Sequence, residues 1–320
     1  MQLIIILLVV VSILTFLSGA IVFFGSTKGN RARSAWYFAA AIFATIWMAS
    51  ISAFLMAEPS WGDSVDWHIK WTFSSALFLD AAFLGYTAWK AKYGKPLTIL
   101  FLILAASVSC TIFMKPELLY TGFSLSPSGN SVSLNIGPMY IIYASFFGAI
   151  VPAIIVNLFL QYVKTTSIKK RKVDIVTMIS FGISSIPTLI FNLIMPLMGH
   201  WNMVWMGPLA LSITIIAVYY TILRYRSLNL NSIWLKFFSY IVITASLAIL
   251  YMLIFSIIFA GMFRGATPST EVIVLNFVMI FIVIILMPAI SNLTMYIRSL
   301  VSGEPEQAKA QNTDDKKVEK

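Results

Sequence analysis

A chain of 320 residues that is 59% hydrophobic and 11% charged, with a mean hydropathy of +0.89, lies far from the composition of soluble domains and reads as an integral membrane protein. The net charge of +10 arises from Lys and Arg gathered at the ends of apolar stretches rather than on one domain face, which excludes a nucleic-acid-binding surface. The single cysteine, Cys110, lies within an apolar run, so an intramolecular disulfide and a thiol metal cluster are excluded too.

Nine apolar stretches follow in chain order, near residues 2–24, 34–56, 67–89, 97–114, 138–163, 173–198, 203–223, 233–263 and 272–297. Backbone polar groups in hydrocarbon must bond to one another, and no alternating barrel pattern is present, so all nine are expected to be helices. The first lacks a basic leader and carries its positive flank after it, which makes it a span rather than a signal peptide. The eighth exceeds one bilayer thickness at about 1.5 Å per residue and is expected to tilt or to begin along the membrane surface.

Basic residues mark alternate connections. Lys28, Arg31 and Arg33 follow the first stretch, Lys90, Lys92 and Lys95 the third, Lys164 and Lys169 to Lys172 the fifth, and Arg224, Arg226 and Lys236 the seventh. By the positive-inside rule these connections are cytoplasmic, so the chain starts outside and Arg298 with the tail lies inside. The long fourth connection has its own pattern. Phe123 and Leu125 alternate with small polar residues, a turn-forming Ser126-Pro127-Ser128-Gly129-Asn130 follows, and Val132, Leu134 and Ile136 alternate again. This predicts a short extracellular β-hairpin, with a plain solvated loop as the alternative. The segment 301–320 holds no aromatic residue and is expected to be a disordered cytoplasmic tail.

No catalytic signature for a zinc protease, serine hydrolase or nucleotide-binding loop occurs, so an enzyme is not expected, nor a cofactor or metal. Asp80 is the only acid deep within a stretch, about 15 Å from its inner end. With no cation in any span core, it is expected to be protonated, hydrated or hydrogen-bonded by a neutral partner such as Asn157. The two readings are a structural interhelical hydrogen bond and a proton- or ion-linked site. Toward the outer ends, Trp47, Trp67, His68, Trp71, Tyr140, Tyr143, Asn192, His200, Trp201, Asn202 and Trp205 gather. The simplest account is an interfacial aromatic belt. The sharper one is a ligand site built from Trp47, His68, Trp71, Tyr140, Tyr143, Asn192 and Trp201, since amphipathic rings, an amide and imidazole suit a small molecule. A zinc site from His68, His200 and Asp66 would require the three to meet.

Residues 30 to 230 resemble the seven-transmembrane sensor region at the N-terminus of histidine kinases. The carriers are the Asn30 to Arg33 entry into a span with Trp47, Gly137-Pro138-Met139-Tyr140, the basic connection before Asp174, Pro196, and the run Tyr219-Tyr220-Thr221-Ile222-Leu223-Arg224-Tyr225-Arg226-Ser227-Leu228. The resemblance implies an input module for a cytoplasmic signalling domain, and some related nine-span kinases read small diffusible signals. Here neither His68 nor His200 is cytoplasmic, and no ATP-binding domain follows, so the chain is expected to be a standalone sensor-like protein or a piece of a longer one. The expected organisation is a sensor-like region at 1–230, two further spans at 231–300 and the tail. The expected partners are the bilayer, a small-molecule signal, a cytoplasmic histidine kinase or other signalling partner, and a second copy in a homodimer. The competing functional readings are a small transporter or channel using Asp80 and Asn157, and a membrane scaffold.

Overall fold

The computed structural model describes residues 2–26, 30–56, 63–88, 94–125, 132–201, 203–224 and 242. All but residue 242 of the eighth stretch, the ninth stretch, the turn at 126–131 and the segment 301–320 lie outside the described residues.

The elements in order are α1 (Gln2–Phe24), α2 (Arg31–Leu55), α3 (Asp63–Ala88), α4 (Gly94–Met114), β1 (Tyr120–Leu125), β2 (Val132–Ile136), α5 (Tyr140–Lys164), α6 (Ile168–Leu189, continued by a π-helical turn Ile190–Ile194 and a last turn Met195–Leu197) and α7 (Met206–Arg224). Among the described residues α1, α2, α4, α5 and α6 are long and apolar enough to cross a membrane, and α7 carries a shorter apolar run. Helix α3 holds Asp66, Lys70 and Asp80 along its length, yet it is the most enclosed.

Neighbouring helices close a ring: α1 packs on α2, α2 on α3, α3 on α5, α5 on α6, α6 on α7, and α7 returns to α1. Helix α4 leans on α3 from outside that ring and leaves Ile99, Leu100, Ile103 and Leu104 exposed. Between such apolar helices, association depends on close packing and interhelical hydrogen bonds. Both occur. Gly19 faces Ala41 so closely that a Cβ on it would lie 2.5 Å from the alanine methyl. Tyr37, fully buried, donates its hydroxyl to the carbonyl of Ile215 at 2.6 Å and so ties α2 to α7. Thr45 donates to the carbonyl of Ser12 at 3.2 Å, and the Ser184 and Thr214 hydroxyls pair between α6 and α7.

The strands pair antiparallel, with Phe123 opposite Leu134 and Leu125 opposite Val132, and an irregularity between Tyr120 and Gly122. Their base is stitched to the helices around it. Gly137 donates its N–H to the carbonyl of Leu119, and Met139 donates to that of Leu118, both at 2.7 Å, just before α5 begins. Tyr120 also donates its hydroxyl to Asp66 on α3, whose other oxygen meets Lys70 at 2.6 Å. The strand pair is therefore anchored at the end of the ring where α3 and α5 start.

A crevice at the strand-pair end of the ring

Helix α6 changes its winding near that end. The N–H of Met195 bonds to the carbonyl of Ile190, five residues back, in the manner of a π-helix. Pro196 supplies the physical reason: it has no N–H to give to the carbonyl of Asn192, and its ring crowds that carbonyl, so the turn widens. The carbonyl left over is taken up from another helix, since the Tyr140 hydroxyl donates to Asn192 O at 3.0 Å and to Leu193 O at 3.3 Å. The Asn192 amide donates from Nδ2 to the carbonyl of Thr188 at 3.3 Å and rests on Gly207, where a Cβ would fall 1.3 Å from it.

The end of α6 is equally specific. Gly199 has φ of 78°, the left-handed conformation that favours glycine. Its N–H bonds to Pro196 O and that of His200 to Met195 O, both at 2.9 Å, a Schellman closure of the helix. This sharp reversal turns the chain back, so Trp201 is buried, 5% exposed, between α6 and α7.

Together these features bound a narrow crevice of about 390 Å³, counting its open mouth, lined by Trp47 and Phe54 of α2, Ile69, Thr72 and Phe73 of α3, Leu134 of β2, Tyr143 of α5, Asn192 of α6, and Trp201 and Val204 of the α6–α7 connection. Phe73 meets Tyr143 edge to face with ring centroids 5.1 Å apart, which closes the side toward α5. Thr72 turns its hydroxyl proton onto its own helix, at His68 O.

Of the sequence-selected ligand residues, Trp47, Tyr143, Asn192 and Trp201 line this one crevice. Tyr140 is buried beside it and braces Asn192. Trp71 turns elsewhere, packing edge-on against Trp67 and Phe113 with centroids 6.0 and 5.5 Å away. His68, partly buried on α3, is not among the lining residues. His200 is exposed and Asn202 lies outside the described residues. Among the described residues no three His, Cys, Asp or Glu side chains form a metal-sized group, so His68, His200 and Asp66 do not meet. Sequence reasoning missed Phe54, Ile69, Thr72, Phe73, Leu134 and Val204, which apart from Thr72 are ordinary apolar residues in type and spacing.

Asp80 is 4% exposed and lies seven residues from both Phe73 and Thr87, on one face of α3. The expected hydrogen bond with Asn157 is not the one formed: Asn157 donates from Nδ2 to Thr87 Oγ1 at 3.3 Å, two helical turns nearer the basic end. Helix pitch explains the difference, because Thr87 faces the same neighbour as Asp80 and stands closer to the level of Asn157. At the basic end, Arg33 donates from Nε to Tyr86 O at 3.1 Å and lies over the Tyr86 ring, while Thr165 donates to Asp174 at 2.9 Å.

A family model described as the N-terminal 7TM region of histidine kinase matches residues 7–231, a span that holds the crevice and all of the helices just described except the first turn of α1. No curated protein matches the chain.

Proposed function

The chain belongs to the family of N-terminal 7TM regions of histidine kinases and is a multi-pass membrane protein; from that premise we propose that it senses a small amphipathic or apolar molecule held in the crevice at the strand-pair end. The observation that carries the reading is the meeting of Trp47, Tyr143, Asn192 and Trp201, from three helices and a connection, around one cavity beside a π-helical turn. π-Turns inside α-helices are frequent at functional sites because they re-aim one side chain at the expense of a regular bond.

A ligand transmits only if it binds two arrangements of the bundle unequally. Helix α6 is suited to having two, since Pro187, the π-turn and Pro196 weaken its hydrogen-bond ladder over one segment. Wedging Asn192 away from Gly207 would tilt this segment against α7, and α7 leads to the basic end. There the change passes to a cytoplasmic partner, for which a histidine kinase is the natural candidate; the hairpin lies outside, and the chain itself carries out no chemistry.

Photolabelling of the full chain in lipid nanodiscs with an eight-carbon alkyl diazirine tests the site. Adducts should concentrate on peptides holding Trp47, Tyr143 and Trp201. Labelling confined to the exposed faces of α4 and α5 would dispose of the crevice as the binding place.

A second reading rests on Asp80, a buried acid that forms no ion pair among the described residues. With Thr87 and Asn157 it would line a polar route through the ring, as in a small transporter or channel. Proton or cation flux in proteoliposomes that disappears in Asp80→Asn would favour that reading over the sensor.

A further inference from the structure

The crevice wall contains a fully buried, unmet hydrogen-bond donor. Trp201 Nε1 is buried and has no hydrogen-bond partner, although its ring lines the cavity. The Thr72 hydroxyl and the Asn192 amide, by contrast, both donate to carbonyls of their own helices. An indole N–H can donate but not accept, and a desolvated donor without an acceptor is unfavourable in the empty site.

We infer that the ligand is a small apolar molecule bearing a hydrogen-bond acceptor, a ketone, ester or ether oxygen, which receives the Trp201 indole N–H while its hydrocarbon part lies against Phe54, Ile69 and Phe73. This deepens the sensor reading and rests on it. The acceptor distinguishes the ligand from a plain hydrocarbon, since the alkyl part would gain little by leaving the bilayer for an equally apolar crevice. The crevice is narrow, which favours a slender molecule with a short chain.

The test uses the full chain in nanodiscs with 15N-labelled tryptophan and two probes of equal heavy-atom count, 2-octanone and n-nonane. The Trp201 indole signal is identified by its loss in Trp201→Phe, and the Trp47 indole signal reports occupancy of the crevice by either probe. The ketone should move the Trp201 indole proton downfield and bind the wild type about three- to tenfold more tightly than it binds Trp201→Phe. Nonane should leave the Trp201 proton in place and bind both proteins alike, which also shows that the variant is folded. Equal binding of the two probes, with the Trp201 proton unmoved, would overturn the acceptor inference and leave the crevice as a binding site. No response of Trp47 to either probe would overturn both.

Discussion

The Tyr140 hydroxyl donates to the carbonyl of Asn192 at 3.0 Å, filling the place that Pro196, four residues further along α6, cannot fill. A tyrosine at the start of α5 thus completes the hydrogen bonding of a helix it does not belong to. The widened turn can persist in an apolar setting because the group it releases is satisfied from across the helix interface. Asn192 is consequently held at both ends, by Tyr140 at its backbone and by Thr188 at its side chain, with its amide against Gly207 and in the crevice.

Tyr140→Phe should destabilise the bundle by about 1 kcal/mol, since it removes one interhelical bond and leaves the carbonyl short of a partner. Pro196→Ala returns an N–H to the position that Asn192 O lacks, so Tyr140→Phe should cost less in that background. Unfolding of the four proteins in nanodiscs gives the coupling directly. Equal costs of Tyr140→Phe in the two backgrounds would refute the compensation.

Gly207→Ala places a methyl where the Asn192 amide now lies, and overpacking of this kind typically costs about 1–3 kcal/mol. The displaced group is a single side chain, so Asn192→Ala should relieve most of that cost. The double variant is expected to melt close to Asn192→Ala alone. A penalty that survives removal of Asn192 would mean that the α6 and α7 backbones, rather than the amide, meet the new methyl.

Hydropathy marks the helices well, because a membrane span needs length and apolar composition whichever way its faces turn. The same uniformity hides orientation. Trp67 and Trp71 share one face of α3 and pack on Phe113, whereas Ile69 and Phe73 share the face that turns to the crevice. No amphipathic contrast distinguishes these faces in the sequence. Trp47, Tyr143, Asn192 and Trp201 could be grouped by their common level near helix ends, but level alone could not separate them from His68 and Trp71. Pro196 was the readable sign of irregular winding in α6, whereas the donor from α5 that makes it tolerable is a tertiary fact.

The Tyr120–Asp66 contact makes attachment of the strand pair sensitive to alkali. Burial, and then the Asp66 carboxylate that accepts its proton, push the Tyr120 phenol above its ordinary value of 10.0. A group whose folded pKa is raised contributes fully below the unfolded value, and that contribution falls as pH rises toward the folded one. Wild-type stability relative to Tyr120→Phe should therefore be level from pH 6 to about 9 and decline above about pH 10. Proteolysis near the strands over that range measures it, and a constant difference through pH 11 would contradict the assignment.

Asp80 and Asn157 lie on facing helices, but the bond that joins those helices runs from Asn157 to Thr87. In membrane bundles such bonds couple by about 0.6 kcal/mol on average. Thr87→Val and Asn157→Leu should therefore combine with a coupling of that order, while Asp80→Asn and Asn157→Leu should add within about 0.5 kcal/mol. Asp80→Asn keeps the volume of the side chain and removes its ionisable group, so it should fold as the wild type does. Strong coupling of Asp80 with Asn157 in unfolding measurements would instead join the two as one polar unit and strengthen the transport reading.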